Sequence, residues 1–84
     1  MNMEKAVALR MLEEIRNAQF AERETLALMI RDIFGDEYVR LSKYGNGSIL
    51  FTSKVLKEFN KQKGSEIIWV GKDRGWRTKD ANDL

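Results

Sequence analysis

The side chains best suited to chemistry in this sequence are the lysines and arginines of its second half. Residues 43–79 carry nine basic and three acidic side chains, a net charge of +6, whereas residues 1–42 carry six basic and eight acidic ones, a net charge of −2. A positive region of this kind favours contact with an anionic partner, although it is also a common way of keeping a small domain in solution. The charge pattern therefore indicates a binding surface.

The residue types that the sequence lacks narrow the chemistry further. The 84 residues include no histidine and no cysteine, so the commonest general base, the thiolate nucleophile and the soft metal ligands are missing. Asp32, Asp36 and Glu37 offer carboxylate oxygens, but they lack the regular alternation and the glycine of a calcium loop. We therefore predict a protein that is not an enzyme and has no cofactor and no metal site.

Three of the basic residues are spaced for one face of a helix. Lys54, Lys57 and Lys61 fall within about 60° of one another on a helical projection, across from the apolar face of the same predicted helix. Such a stripe can lie along nucleic-acid phosphates. It is also the ordinary solvated face of an amphipathic helix, an interpretation that Glu58 supports by moderating the charge. We name these lysines as candidate nucleic-acid contacts.

A second basic group lies on and beside a predicted hairpin turn at 73–75. It consists of Lys72, Arg74 and Arg77. Side chains on such a hairpin can contact the nucleic-acid backbone or the minor groove, where arginine is favoured. The alternative is a charged loop tip that keeps a sheet edge from pairing with other chains. Both interpretations stay open, and the three residues are candidate nucleic-acid contacts.

The two tryptophans flank this turn. A type I turn at Asp73-Arg74, closed by Gly75 in the left-handed region, is predicted. This turn would pair Lys72 with Trp76 and Val70 with Thr78. Trp69 and Trp76 then point to opposite faces of the hairpin, so only one of them is expected in the central core. We name Trp76 as a candidate partner contact. The alternative is a partly buried lid over the edge of a small core.

The elements that must position these side chains follow from apolar spacing and capping signals. Amphipathic stripes predict three helices, and β-rich runs around glycine-containing turns predict two hairpins. The short connection at 17–21 places the first two helices side by side. We predict one α+β domain over residues 1–79 and a polar tail at 80–84. In chain order the predicted elements are a helix from about Met3 to Ala18, a helix from about Glu22 to Phe34, strands Tyr38–Ser42 and Ile49–Phe51 around Asn46-Gly47, a helix from about Lys54 to Lys63, and a second hairpin with strands Glu66–Val70 and Trp76–Thr78.

The helical stripes also define a core and leave two apolar residues outside it. Leu9 and Leu28 fall outside the stripes. Small domains often cover exposed apolar residues by dimerising, so Leu9 and Leu28 are candidate contacts for self-association. The predicted core consists of Met11, Leu12, Ile15, Leu26, Ile30, Ile33, Phe34, Leu56, Phe59 and one of the tryptophans.

Five segments of the chain carry structural motifs, namely Phe34-Gly35-Asp36-Glu37-Tyr38-Val39, Asn46-Gly47, Lys54-Val55-Leu56-Lys57-Glu58-Phe59, Ile68-Trp69-Val70 and Trp76-Arg77. Together these segments resemble a family of small uncharacterised bacterial proteins. The resemblance covers about residues 17–79, and because its motifs are structural it implies no activity, substrate or site residue. The layout, helix-helix-hairpin-helix-hairpin, is also similar to a winged-helix variant with the last hairpin as the wing. It departs from the usual order because residues 35–52 separate the second helix from the third, which a helix-turn-helix joins by a short turn.

Three function classes compete for this sequence. The basic groups favour nucleic-acid binding, the apolar residues outside the stripes favour protein interaction or self-association, and an enzyme is disfavoured. The longest apolar runs, 6–9 and 67–70, are far shorter than a membrane span, and the absence of cysteine suits a reducing compartment, so we expect a cytoplasmic protein. We predict a small non-catalytic binding module that binds nucleic acid weakly, with self-association as the alternative.

Overall fold

Three helices and two small antiparallel sheets form the described part of the protein. The computed structural model describes residues 3–42 and 49–79. The predicted α+β class is confirmed, whereas the Asn46-Gly47 turn and the 80–84 tail lie outside the described residues. The elements are α1 (Met3–Ala18), β1 (Phe20–Glu22), α2 (Arg23–Phe34), a 3-10 helix (Asp36–Tyr38), β2 (Val39–Leu41), β3 (Ile49–Phe51), α3 (Ser53–Lys63), β4 (Ile67–Val70) and β5 (Gly75–Thr78).

The helices begin and end close to their predicted bounds, and capping residues lie at both ends of α3 and at the end of α2. The Thr52 hydroxyl accepts a hydrogen bond from the Val55 N–H at 3.4 Å, so α3 begins with a capped first turn. Gly35 ends α2 and donates its N–H to the Arg31 carbonyl at 2.9 Å, and Gly64 follows α3. None of the helices in the described part of the chain is long and apolar enough to cross a membrane.

The connection between α1 and α2 is a strand rather than the linker predicted at 17–21. Gln19 takes a left-handed conformation, with φ 68°, and turns the chain out of α1. β1 then pairs antiparallel with β5, and the Thr78 N–H donates to the Gln19 carbonyl at 3.1 Å. A strand of three residues is too short to show a two-residue period, and glutamine is not a usual turn residue. The second helix therefore begins at Arg23.

The C-terminal hairpin has a different register from the predicted one. Trp69 lies directly opposite Trp76 across the two strands. The predicted pairs, Lys72 with Trp76 and Val70 with Thr78, are wrong. Because directly opposed residues share a face, the two indoles lie on the same side of the sheet rather than on opposite sides.

Gly75 accounts for this register, since the neighbouring strand leaves it no room for a side chain. A Cβ at this position would lie 2.5 Å from the Ala21 carbonyl oxygen and 2.7 Å from the Phe20 ring. Gly75 therefore belongs to β5, packed against β1, and the left-handed residue of the turn is Arg74, with φ 51°. The sequence pattern predicts Gly75 in the turn because glycine is the usual left-handed residue.

The three-stranded sheet, in the order β1-β5-β4, packs one face into the core, while β2 and β3 form a separate pair. The Trp76 indole, in the central strand, lies 4.9 Å from the Phe59 ring and 6.3 Å from the Phe51 ring, measured between centroids. Trp69 packs on it edge-to-face at 5.0 Å. α3 lies beside α1. The tryptophan of the core is thus Trp76.

The buried side chains follow the predicted core with one clear exception. Ile33, predicted as core, is 47% exposed. The buried arc of α2 is centred on Ala27 and Ile30 rather than on Leu26, so Ile33 lies at its margin in the last turn. The predicted core residues Phe34 and Leu56 are partly buried against the core. The buried set is Val7, Ala8, Met11, Leu12, Ile15, Leu26, Ala27, Ile30, Tyr38, Ile49, Phe51, Val55, Phe59, Ile67 and Trp76.

Tyr38 ends the 3-10 helix instead of beginning the predicted strand. Its ring is buried and meets the Phe34 ring edge-to-face, with 6.3 Å between centroids. Burial, with a smaller effect of the carboxylates of Glu37 and Glu4, raises the pKa of the Tyr38 phenol above its ordinary value. The phenol is therefore protonated at neutral pH, and the strand is limited to Val39–Leu41.

Gly75→Ala is expected to lower the free energy of unfolding by about 1–3 kcal/mol, because the added methyl group meets the backbone of β1. Gly71→Ala is the matched control. Its methyl group would meet the Trp69 Nε1 at 3.5 Å, an ordinary contact, so its effect should stay within about 0.5 kcal/mol. Urea denaturation measures both variants. Equal stabilities would contradict the close approach of β1 to β5.

Candidate nucleic-acid interface

The three predicted contact lysines of α3 lie around one groove. Lys54, Lys57 and Lys61 are exposed, because the apolar face of α3 packs into the core on the other side of the helix. Together with Glu4 of α1 and Glu58, they line a groove of about 330 Å³. The structure thus brings this group together, but the groove that it lines carries both signs of charge.

The predicted turn residues Lys72 and Arg74 form a second exposed group. They lie in the four-residue turn at 71–74, where the Asp73 N–H donates to the Val70 carbonyl at 3.2 Å. The Arg23 N–H donates to the Arg74 carbonyl at 2.9 Å. This bond ties the turn to the first residue of α2, so Arg23 adds a third guanidinium or ammonium group at this end of the sheet.

Arg77 is separated from both groups by its position in β5. It occupies the cross-strand row of Phe20 and Ile68, and alternation along the strand points it away from the face that carries Trp76. Its Nη1 donates to the Thr78 carbonyl at 3.2 Å. Since Trp76 packs on Phe59 of α3, Arg77 lies on the far side of the sheet from α3. The six predicted cations therefore do not share one surface.

The exposed tryptophan is Trp69, not Trp76. Trp76 is 6% exposed, so it is not available as the predicted partner contact, because the register places it in the central strand against the core. Trp69 is 42% exposed at the edge of the same sheet. The Arg23 guanidinium carbon lies 5.4 Å from the centroid of the Trp69 ring, a cation–π contact.

Sequence reasoning missed Arg23 and Trp69 as members of this site for one reason. Their placement follows from the register of the β4–β5 hairpin. The sequence pattern favours a different register, because it places Gly75 in the turn although Gly75 lies in β5. The available signal was Trp69 itself, in the β4 run before the basic turn. We name the four residues Arg23, Trp69, Lys72 and Arg74 the turn cluster.

The other candidate residues of the sequence lie elsewhere. Leu9 on α1 and Leu28 on α2 are exposed, as their positions outside the stripes indicate. Single exposed leucines are ordinary on a protein surface, and these two carry no proposal. Within residues 3–42 and 49–79, the structure has no group of three acidic side chains placed to hold a metal ion, so the three carboxylates near the end of α2 form no such site.

The fold and this surface define a small α+β domain with exposed basic groups and one exposed tryptophan. A family model matches residues 3–78, nearly the whole length over which the chain is described. The chain belongs to that family, a family of unknown function designated DUF6953. The expected membership in a family of uncharacterised function is thereby confirmed. No curated protein and no solved structure matches the chain.

Arg74→Gly is expected to raise the free energy of unfolding by about 0.5–1 kcal/mol. Arg74 holds a left-handed backbone that costs a side-chain-bearing residue about 1–2 kcal/mol, and glycine removes this strain while losing part of the gain to unfolded-state entropy. Arg74→Ala, which keeps the strain, is the control and should bring no gain. Thermal and urea unfolding measure the three proteins. A stabilising alanine would contradict the assigned turn conformation.

Proposed function

We propose that this protein is a non-catalytic module that binds nucleic acid weakly, through the lysines of α3 and the cations of the β4–β5 turn. The observation that carries the proposal is the groove on α3. Lys54, Lys57 and Lys61 are all exposed and all line it, so three lysines border one groove. Ammonium groups on flexible stems are suited to phosphates, which they contact without reading a sequence.

The electrostatics of the groove support weak binding over tight binding. Glu4 and Glu58 line it together with the lysines, and nearby opposite charges reduce the positive potential that an approaching phosphate meets. The whole chain carries a formal net charge of +2. Exposed charges of this kind are also strongly screened by salt. Affinity should therefore be low and should fall as ionic strength rises.

The layout of the fold bears on how such a module would contact nucleic acid. β1 joins the terminal hairpin in one three-stranded sheet, and the basic turn projects from the end of that sheet beside α2. In the winged-helix-like interpretation, α3 and this turn are the two contacting elements. The 3-10 helix and β2–β3 separate α2 from α3, so α3 lacks the short turn of a helix-turn-helix. We therefore propose contact with the backbone rather than readout of bases by α3.

The proposal predicts that the binding constant falls as salt concentration rises, and that two double variants reduce the slope of this fall. Fluorescence anisotropy with a labelled duplex at low salt should show binding, with log K falling as log salt rises. Each neutralised phosphate contributes about −0.9 to that slope, so Lys54→Gln with Lys57→Gln should flatten it by about two contacts, as should Lys72→Gln with Arg74→Gln. Both pairs are exposed, so neither change should destabilise the fold.

The matched control is Arg31→Gln with Arg40→Gln. It removes the same charge from exposed positions that line a different groove, beside β2, and should leave the slope unchanged. An equal flattening by the control would show that only net charge matters. Absence of binding at low salt and about 100 μM protein, the weak end of the usual range for non-specific contacts, would overturn the proposal.

A further inference from the structure

The turn cluster contains a feature that phosphate contact does not use, the exposed indole of Trp69. It is held from one side by the buried Trp76 ring, 5.0 Å away between centroids and steeply inclined at 64°. Trp76 in turn packs on Phe59 at 4.9 Å. An aromatic side chain fixed in this way loses little conformational freedom when it binds a partner, so its exposed surface is prepared for contact.

One cation contacts this indole, and two more lie in the adjacent turn. The Arg23 guanidinium lies over the ring at 5.4 Å, and the backbone bond from Arg23 to Arg74 holds the turn beside it. Lys72 and Arg74 are exposed in that turn, with Asp73 as its acidic residue, and Glu22 and Glu24 flank Arg23 in the chain. The cluster therefore combines an aromatic surface with three positive groups, whose charge is balanced by three acidic residues next to them in the chain.

The turn holds Arg74 in a left-handed backbone conformation, and Gln19 is the other non-glycine residue that adopts it in the described part of the chain. A residue with a side chain rarely takes φ near 51°, and glycine or asparagine is the usual choice at such a position. Strain of this kind concentrates where the structure holds a residue for a purpose. This conformation places an exposed arginine in the turn that joins β4 and β5.

Resting on the proposed function, we propose that Trp69 is a stacking site for an unpaired nucleobase, so that the protein binds single-stranded nucleic acid in preference to duplex. A base offers the planar π-face that an indole accepts, and its flanking phosphates carry the charge that Arg23, Lys72 and Arg74 complement. In a duplex the bases are stacked on one another and paired, so they cannot reach an indole without being extruded. If the indole instead contacted a protein partner, the affinity for nucleic acid would not depend on the presence of unpaired bases.

The test compares three labelled oligomers of about 12 nucleotides, a length within the site sizes of single-strand binders. They are oligo(dT), its duplex with oligo(dA), and an abasic deoxyribose-phosphate chain that keeps the charge and lacks the bases. Anisotropy at low salt should give the tightest binding for oligo(dT), with the duplex and the abasic chain about fivefold weaker or more. Binding of oligo(dT) should also quench tryptophan emission.

Two variants at position 69 assign the effect to the indole. Trp69→Ala should weaken oligo(dT) binding about tenfold and leave the abasic chain unaffected, because one stacked base is lost and the phosphate contacts remain. Trp69→Phe keeps an aromatic face and should stay within about threefold of the parent. Thermal unfolding of both variants checks that each is folded. If the alanine variant is not, the test is Trp69→Phe, in which oligo(dT) should no longer quench tryptophan emission because the remaining indole, Trp76, is buried; persistent quenching would overturn the assignment.

The outcomes separate this inference from the proposed function. Equal affinity for oligo(dT) and the abasic chain, with no effect of Trp69→Ala, would overturn the stacking site and leave the salt-dependent phosphate binding in place. Tighter binding of the duplex than of oligo(dT) would also overturn the stacking site. Absence of binding to all three oligomers at about 100 μM protein would overturn both proposals.

Discussion

The burial of Trp76 is the interaction on which the rest of the structure depends. Its indole joins elements that are far apart in the chain, meeting Phe59 of α3 and Phe51 of β3 from the central strand of the sheet. A buried aromatic of this size is among the largest single contributions available to a small core. An 84-residue chain without disulfides has a margin of stability of about 4–12 kcal/mol. Loss of the packing around Trp76 would therefore remove a large part of that margin.

The placement of Trp76 determines the surface as well as the core. Because Trp69 lies directly opposite it, burying one indole leaves the other at the sheet edge, partly packed and partly exposed. The same register places Gly75 in β5, directly beside β1, and leaves Arg74 as the left-handed residue of the turn. Packing in the core and the arrangement of cations at the hairpin tip are therefore two results of one strand register.

The sequence predicted what is encoded locally, and failed where contacts between distant segments decide. Helix ends were predictable because Thr52 and the glycines after α2 and α3 act within a few residues of their own position. Strand β1 could not be predicted, because its three residues form a strand only by pairing with β5. The left-handed conformation of Gln19 was not predictable either, since glutamine is not a usual left-handed residue. The lysines of α3 were placed on one face by periodicity alone, whereas the choice between Trp69 and Trp76 required the register that Gly75 sets.

The measurement that tests this account most directly is the solvent accessibility of each indole. Acrylamide quenching of the parent protein should reveal one accessible and one shielded tryptophan, because Trp69 is 42% and Trp76 6% exposed. In Trp69→Phe the accessible component should disappear and leave blue-shifted emission that acrylamide barely quenches. If that variant instead kept an accessible tryptophan while remaining folded, Trp76 would not be the buried centre of the core, and the assigned register and the turn cluster would both be wrong.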